Sequence, residues 1–501
     1  MSSLDPNACY RALVAHDARF DGLFFVGVKT TGIYCRPVCR ARTPGRDRCV
    51  FFRTAAQAEE AGFRSCFRCR PELAPGAAPV DAVTRVVATA MRLIDEGALS
   101  HEGTVDDLAR TLRISTRHLR RAMQAELGVS PLALAESRRL ALARQLIVDT
   151  AMPMTEVAFA SGFRSVRRFN AAVKARYGRP PSEMRKVVRK GVRGEAGETV
   201  TVALSYRAPY DWPSMLSHLA SRAVPGVELV QVGEGTYTRT AAVGALRGWL
   251  TVSADPTRAT LRATISTSLA GALLAVVTRL RRLFDLDAEP TAIAAHLARD
   301  PRLAAHVRAR PGLRVAGAFD VFEAAARAVL GQQVSVAAAG TLAGRLAAQL
   351  GETIETPHAG LDRIFPTASA VARRSGAALA TALRIPARRA ETLRVLGEAV
   401  SNGTLALDAD PTRLIDQIVA LPGLGPWTAH ALAMRALGWP DAFPEGDLVL
   451  RKALGGISSR QARAVAERWR PWRAYGATHL WTHYGAARSS TNRAAAGANQ
   501  S

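Results

Sequence analysis

Apolar and polar positions along the 501 residues change period several times, and each change marks a different kind of element. Ahead of Cys35 the apolar residues alternate, which predicts short strands, with Gly32 and Pro37 as turns. From Asp81 to Lys186 the repeat lengthens to helical spacing. Thr104 and Asp107 form a capping-box-like start, with Val105, Leu108, Ala109 and Leu112 on one face. Ser115 caps the next helix, with Leu119, Ala122 and Met123 inward and Arg117, His118, Arg120 and Arg121 outward. The scheme then returns: Val157 and Ala160, the turn Ser161-Gly162-Phe163, and a helix with Phe169, Val173 and Tyr177 inward. Its outer face carries Arg164, Arg167, Arg168, Asn170 and Lys174. Two helix-turn-helix units with basic second helices fit insertion into the major groove. Alternation comes back at Thr199–Tyr206, Val227–Val232, Thr236–Val243, Gly248–Val252 and Ala259–Ile265, predicting a small antiparallel sheet with one or two helices. Beyond Thr267 the pattern is mainly helical, and Phe322, Ala325, Ala326, Val329 and Leu330 make one apolar stripe.

This length predicts three or four domains. No apolar run is long enough to cross a bilayer, so no membrane partner is expected. Met1 to Asp17 lacks the basic and apolar regions of a secretory leader, so a reduced, cytoplasmic setting is expected. The excess of 67 Lys+Arg over 42 Asp+Glu gives a net charge of +25. Such a field attracts polyanions and makes nucleic acid the leading partner, although a compositional bias towards arginine would produce the same sum. Arg185 to Glu198 reads as a flexible linker and Ser489–Ser501 as a disordered tail.

All six cysteines lie within the first 69 positions. Four pair as Cys35-x3-Cys39 and Cys66-x2-Cys69, a spacing that offers four thiolates to one tetrahedral zinc ion per chain. Cys9 and Cys49 lack a near partner and read as ordinary thiols. Arg36, Arg40, Arg42, Arg64, Arg68 and Arg70 surround the pairs and should hold flanking phosphates.

Leu421-Pro422-Gly423-Leu424-Gly425-Pro426-Trp427 follows a helix with Leu414, Ile415, Ile418 and Val419. Gly423 and Gly425 permit a tight turn with open backbone N–H groups, and Pro426 suits a first helical position. That is a helix-hairpin-helix, a phosphate clamp, or else a plain glycine cap between two helices. Further on, Asp447 reads by itself as the N-cap of the next helix. Placed after such a hairpin it resembles the aspartate of the helix-hairpin-helix DNA glycosylases, which would make it the catalytic carboxylate, with Glu445 as the fallback.

The runs Thr30-Thr31-Gly32-Ile33-Tyr34-Cys35-Arg36-Pro37-Val38-Cys39 and Gly62-Phe63-Arg64-Ser65-Cys66-Phe67-Arg68-Cys69 closely resemble the N-terminal domain of Ada-type methylation-response proteins, over residues 10–72. The resemblance implies that Cys35 accepts a methyl group from a DNA methylphosphotriester. The site would then carry one negative charge instead of two, and bind DNA more tightly. Phe169 with Tyr177-Gly178-Arg179-Pro180-Pro181-Ser182 resembles the AraC family signature, which implies a transcriptional activator of an adaptive response with RNA polymerase as a partner.

Residues 199–487 are similar to AlkA-type alkylbase glycosylases of the helix-hairpin-helix superfamily. Matching pieces include Ala208-Pro209-Tyr210-Asp211-Trp212, Leu330-Gly331-Gln332-Gln333-Val334-Ser335 and Trp469-Arg470-Pro471-Trp472. This resemblance implies hydrolytic release of 3-methyladenine-type bases, with Asp447 catalytic and Trp427, Trp481 and Tyr475 around the flipped base. It also implies DNA contacts at Gln333, Gly423 and Gly425, and a monovalent cation at the hairpin turn. Bifunctional relatives carry a Schiff-base lysine where this chain has Trp427, so strand cleavage is not expected. Two departures bear on substrate range: Gln333 stands where the wedge is apolar, and Ala431 where a pocket aromatic falls. A rival reading keeps the C-terminal half as an inactive DNA-binding platform. No cysteine follows Cys69, so transfer from O6-alkylguanine is not expected.

The expected fold class is multi-domain, mainly α with α+β parts. The expected order is a small zinc-bound α/β module (1–78), an AraC-type double helix-turn-helix (79–187), a linker (188–198), a small antiparallel α+β domain (199–285), an all-α helix-hairpin-helix glycosylase domain (286–488) and the tail (489–501).

Overall fold

The computed structural model describes residues 4–75, 85–100, 103–188, 198–255, 257–405 and 411–498. Strands β1 (Phe25–Val28), β2 (Ile33–Cys35), β3 (Cys49–Phe52) and β4 (Arg64–Ser65) form a sheet in the order β3-β1-β2-β4. The β2–β4 pairing is parallel and the others antiparallel. Gly27 lets two rings close over β1, because a Cβ there would lie 2.8 Å from Phe52 and 2.9 Å from Phe63.

The helix-turn-helix pairs match the sequence pattern: Val105–Thr111 with Thr116–Leu127, and Met154–Ala160 with Val166–Tyr177. Thr104 and Asp107 make both bonds of a capping box, and Ser115 and Ser165 cap the second helices. The helix Pro131–Asp149 joins the two pairs. Leu108, Leu119 and Met123 are buried in the first pair's core, and Phe169 and Val173 in the second.

Five further strands follow: β5 (Thr199–Ser205), β6 (Glu228–Gln231), β7 (Thr236–Val243), β8 (Leu246–Asp255) and β9 (Thr260–Ser266). β5, β9, β8 and β7 stand side by side in that order, each neighbouring pair antiparallel. β8 is longer than its alternation suggests, since Leu246 and Ser253 both pair with β7.

Packing divides the chain into two compact units. The first holds Met1–Arg207, Thr236–Arg281 and Thr353–Ile364, so these four strands pack with the N-terminal half. Gln145 Nε2 donates to the Ala203 carbonyl at 2.8 Å, and Arg207 Nε to the Asp21 carbonyl at 3.0 Å. The second unit holds Ala208–Gly235, Arg282–Glu352 and Phe365–Ser501. Its helical core buries the whole stripe Phe322, Ala325, Ala326, Val329 and Leu330.

The last helix runs from Arg473 to Ala498, and residues 499–501 of the expected tail lie outside the described residues. Alanine is the best helix former, and the segment is alanine-rich with no proline to stop it. Most of the predicted linker (residues 189–197) lies outside the described residues. Among the described residues no helix is long and apolar enough to cross a membrane.

Candidate functional sites

The parallel pairing of β2 with β4 brings the two cysteine pairs together. Cys35 ends β2, and the Cys66 N–H donates to the Tyr34 carbonyl at 3.0 Å. The sulfurs of Cys35, Cys39, Cys66 and Cys69 all lie within 4.8 Å of one another. Cys35, Cys39 and Cys66 are buried, whereas Cys69 is more open. Two backbone N–H groups point at sulfur: Arg36 to Cys69 Sγ and Arg68 to Cys66 Sγ, each at 3.4 Å. No pair is joined as a disulfide. Four soft donors at this spacing, with N–H groups to stabilise thiolate charge, fit Zn²⁺. Mutual contacts with Cys39, Cys66 and Cys69, and then burial, push the Cys35 thiol far up, and a bound cation would favour its thiolate. Cys9 and Cys49 stand apart; burial pushes Cys9 up to about 11.

The surrounding arginines divide into two groups. Arg40, Arg42, Arg64 and Arg68 are exposed and free to meet phosphates. Arg36 is not: its guanidinium pairs with Asp21 and donates to the Cys69 carbonyl at 3.2 Å. Arg70 binds Asp149 at 2.7 Å and Glu72 at 2.9 Å. Arg117, Arg120 and Arg121 on one second helix, and Arg167, Arg168 and Asn170 on the other, are all exposed.

In the second unit the hairpin joins the helices Pro411–Val419 and Pro426–Ala436. Gly423 has φ +82°, and a Cβ there would come within 2.2 Å of Thr392 Oγ1. A Cβ built on Gly425 would meet nothing within 4 Å, so the outer side of the turn is open. Asp447 caps the helix Leu448–Ala453, its Oδ1 accepting from the Leu450 N–H at 2.9 Å. The same Oδ1 accepts from Trp481 Nε1 at 2.9 Å, and Oδ2 from Trp427 Nε1 at 3.1 Å. Three of the residues singled out in the sequence therefore meet, through bonds that their spacing does not reveal. Glu445, the fallback, is paired with Arg463.

The loop before Asp447 is held from the last helix, where Arg473 donates to Asp441 Oδ1 at 2.7 Å. Trp481 lies about two turns further along that helix. Tyr475, on the same helix, is buried, and its hydroxyl donates to Asp285 Oδ2 at 2.7 Å. Gln333 is exposed, with φ +56°. Its neighbour Gln332 has no role in the sequence reading, which offers no signal for one. Its Nε2 donates to the Gly423 carbonyl at 3.1 Å, bracing the hairpin turn. Arg389 in turn donates to the Gln332 carbonyl at 2.6 Å.

Three family profiles match: the metal binding domain of Ada over residues 8–72, a helix-turn-helix domain over 108–187 and the AlkA N-terminal domain over 201–320. The chain is 43% identical over 488 residues to a Mycobacterium tuberculosis protein named "Probable bifunctional transcriptional activator/DNA repair enzyme AlkA", covering 95% of this chain and 96% of that one. It is 38% identical to the Escherichia coli "DNA-3-methyladenine glycosylase 2", over 56% of this chain and 95% of that one. It is also 38% identical to the E. coli "Bifunctional transcriptional activator/DNA repair enzyme Ada", over 25% of this chain and 33% of that one. The chain thus belongs to the family of bifunctional transcriptional activator/DNA repair enzymes that join an Ada-type metal-binding and helix-turn-helix half to an AlkA-type half.

Proposed function

We propose that this protein answers DNA alkylation with two chemistries, a methyl-accepting transcriptional switch and a base-excising glycosylase. The observation that carries the glycosylase reading is the meeting of Trp427 and Trp481 on the carboxylate of Asp447. Double-stranded DNA is the common partner. RNA polymerase is the further partner of the activator, and the setting is cytoplasmic. The domain limits read from the sequence are kept as part of this proposal.

Cys35, Cys39, Cys66 and Cys69 would hold Zn²⁺, which keeps bound sulfurs as thiolates at neutral pH. The Cys35 sulfur forms a bond to the methyl carbon of a methylphosphotriester. The methyl–oxygen bond breaks, and its electron pair leaves with the phosphodiester. Exposed Arg40, Arg42, Arg64 and Arg68 hold the flanking backbone, while Arg36, through Asp21, holds the ligand loop.

In the other half the damaged nucleotide leaves the stack at a cost of a few kcal/mol. Gln333 fills the gap, and Gly423 and Gly425 grip the backbone at a turn that would also hold a monovalent cation. The glycosidic bond breaks with its electrons moving to the cationic base. Asp447 stabilises the oxocarbenium-like sugar and orients water towards it. The faces of Trp427 and Trp481 suit a cationic ring. Tyr475, its hydroxyl engaged by Asp285, contributes to the same pocket.

The test follows the methyl group. Wild-type protein incubated with methylphosphotriester DNA should gain one methyl, located on Cys35 by peptide mass spectrometry, and Cys35→Ala should gain none. Label on Cys69, the more open sulfur, would reassign the acceptor.

A further inference from the structure

Arg144 lies within the helix Pro131–Asp149, between the two helix-turn-helix pairs, and is only 1% exposed. A buried guanidinium needs partners, and here they come from the loop that carries Cys66 and Cys69. Arg144 donates to Ser65 Oγ at 2.5 Å and to the Cys66 carbonyl at 3.0 Å, and pairs with Glu72 at 3.2 Å. The guanidinium also lies over two rings, 4.7 Å from the centroid of Phe67 and 5.5 Å from that of Tyr177.

Tyr177 is the last residue of the second basic helix, Val166–Tyr177. Its neighbour Arg176 pairs with Glu59, whose Oε1 accepts from the Tyr34 hydroxyl at 2.8 Å. Tyr34 precedes Cys35 in β2. Two lines of contact, one from Cys66 and one from beside Cys35, therefore converge on the C-terminal end of that helix.

We propose that Arg144 is a positioning residue that couples the charge of the four-cysteine cluster to the anchoring of the helix Val166–Tyr177. This rests on the methyl-acceptor reading above and adds a route to it. When Cys35 takes a methyl, the cluster loses one negative charge beside a buried cation. The loop's hold on Arg144 weakens, and the helix loosens at its Tyr177 end. The looser helix must be re-ordered on DNA, so this route opposes and limits the tighter binding that lower repulsion at the cluster brings.

The experiment uses the full zinc-loaded chain, before and after reaction with a methylphosphotriester duplex that is then removed in high salt. Zinc content, methyl uptake and amide hydrogen exchange of residues 166–177 are measured for wild type and Arg144→Lys. Lysine keeps the charge but loses the fork. In wild type, methylation should speed exchange in this helix by roughly fivefold or more, the lower end of usual coupling. In Arg144→Lys, exchange should be fast from the start and change by less than about twofold on methylation. Equal exchange before and after methylation in wild type, or a wild-type response in the variant, overturns the coupling. A wild-type chain that binds zinc but takes up no methyl overturns the acceptor reading and the coupling with it. Should Arg144→Lys lose zinc, Ser65→Ala removes a single guanidinium bond and carries the same comparison.

Discussion

Replacing Asp447 with asparagine separates its two roles. As a helix cap the change costs little, because asparagine and aspartate cap about equally well. The new side chain keeps one carbonyl oxygen, able to accept from Leu450 and Trp481 as Oδ1 does now. Its amide nitrogen would face Trp427 Nε1, now 3.1 Å from Oδ2, so a donor would meet a donor. Losing that bond to a charged group costs about 1.5–3 kcal/mol, which a multi-helix unit of this size withstands. Catalysis loses more, because a full negative charge beside the developing cation disappears. Removing one preorganised electrostatic group slows reactions by roughly 10²–10³-fold. The assay treats duplex DNA with dimethyl sulfate and follows released bases by chromatography under single turnover. Asp447→Asn should release them about 10²–10³-fold more slowly, with its circular dichroism unchanged. Release within about threefold of wild type would remove Asp447 from the chemistry, whereas a wild type that releases no bases would restore the inactive-platform reading.

Burial pushes the Asp285 carboxyl up from 3.8 to about 6. An acid whose folded pKa is raised weakens the fold as it ionises: the penalty is absent below about 3.8 and complete above about 6. Asp285→Asn, which still accepts from Tyr475, should therefore gain stability relative to wild type between about pH 4 and pH 8, by roughly 2–3 kcal/mol. Urea unfolding at the two pH values measures this, and a difference independent of pH counts against it. Removing zinc with a chelator should unfold the N-terminal module, since structural zinc contributes about 10–16 kcal/mol in small domains; native chemical shifts of β1–β4 persisting without metal would contradict this. Gln332→Ala should free the hairpin turn at a cost of about 1 kcal/mol and weaken binding to undamaged duplex DNA about fivefold. Unchanged affinity would limit Gln332 to a structural role.

The motif-bearing parts are legible because their signals are local. Cysteine spacing, capping residues and helical stripes each act within a few residues, and the first two surround their own sites. Asp447, Trp427 and Trp481 are each identifiable from sequence, but not the bonds between them, since Trp481 is 34 residues from the carboxylate. Charged residues are the hardest to read. Arg36 and Arg144 look like every other arginine of a basic chain, yet one is tied to Asp21 and the other buried against residues up to 79 positions away. Composition cannot tell a solvated guanidinium from a buried one; only the fold chooses the partner. The motif around Tyr475 marks the residue but not the partner of its hydroxyl, Asp285, 190 positions away. The extent of the last helix, to Ala498, is hard to read from the pattern because small residues suit disorder and helix alike.

The interleaving of the two packing units carries a practical consequence. The backbone passes from one unit to the other five times, after Arg207, Gly235, Arg281, Glu352 and Ile364. No single scission can therefore yield the two units as separate fragments. A protease nick between the helix-turn-helix region and β5 would leave that strand held by Gln145. Attempts to express the regulatory portion alone should accordingly retain β5 and β7–β9, or else supply a substitute for the surface they cover.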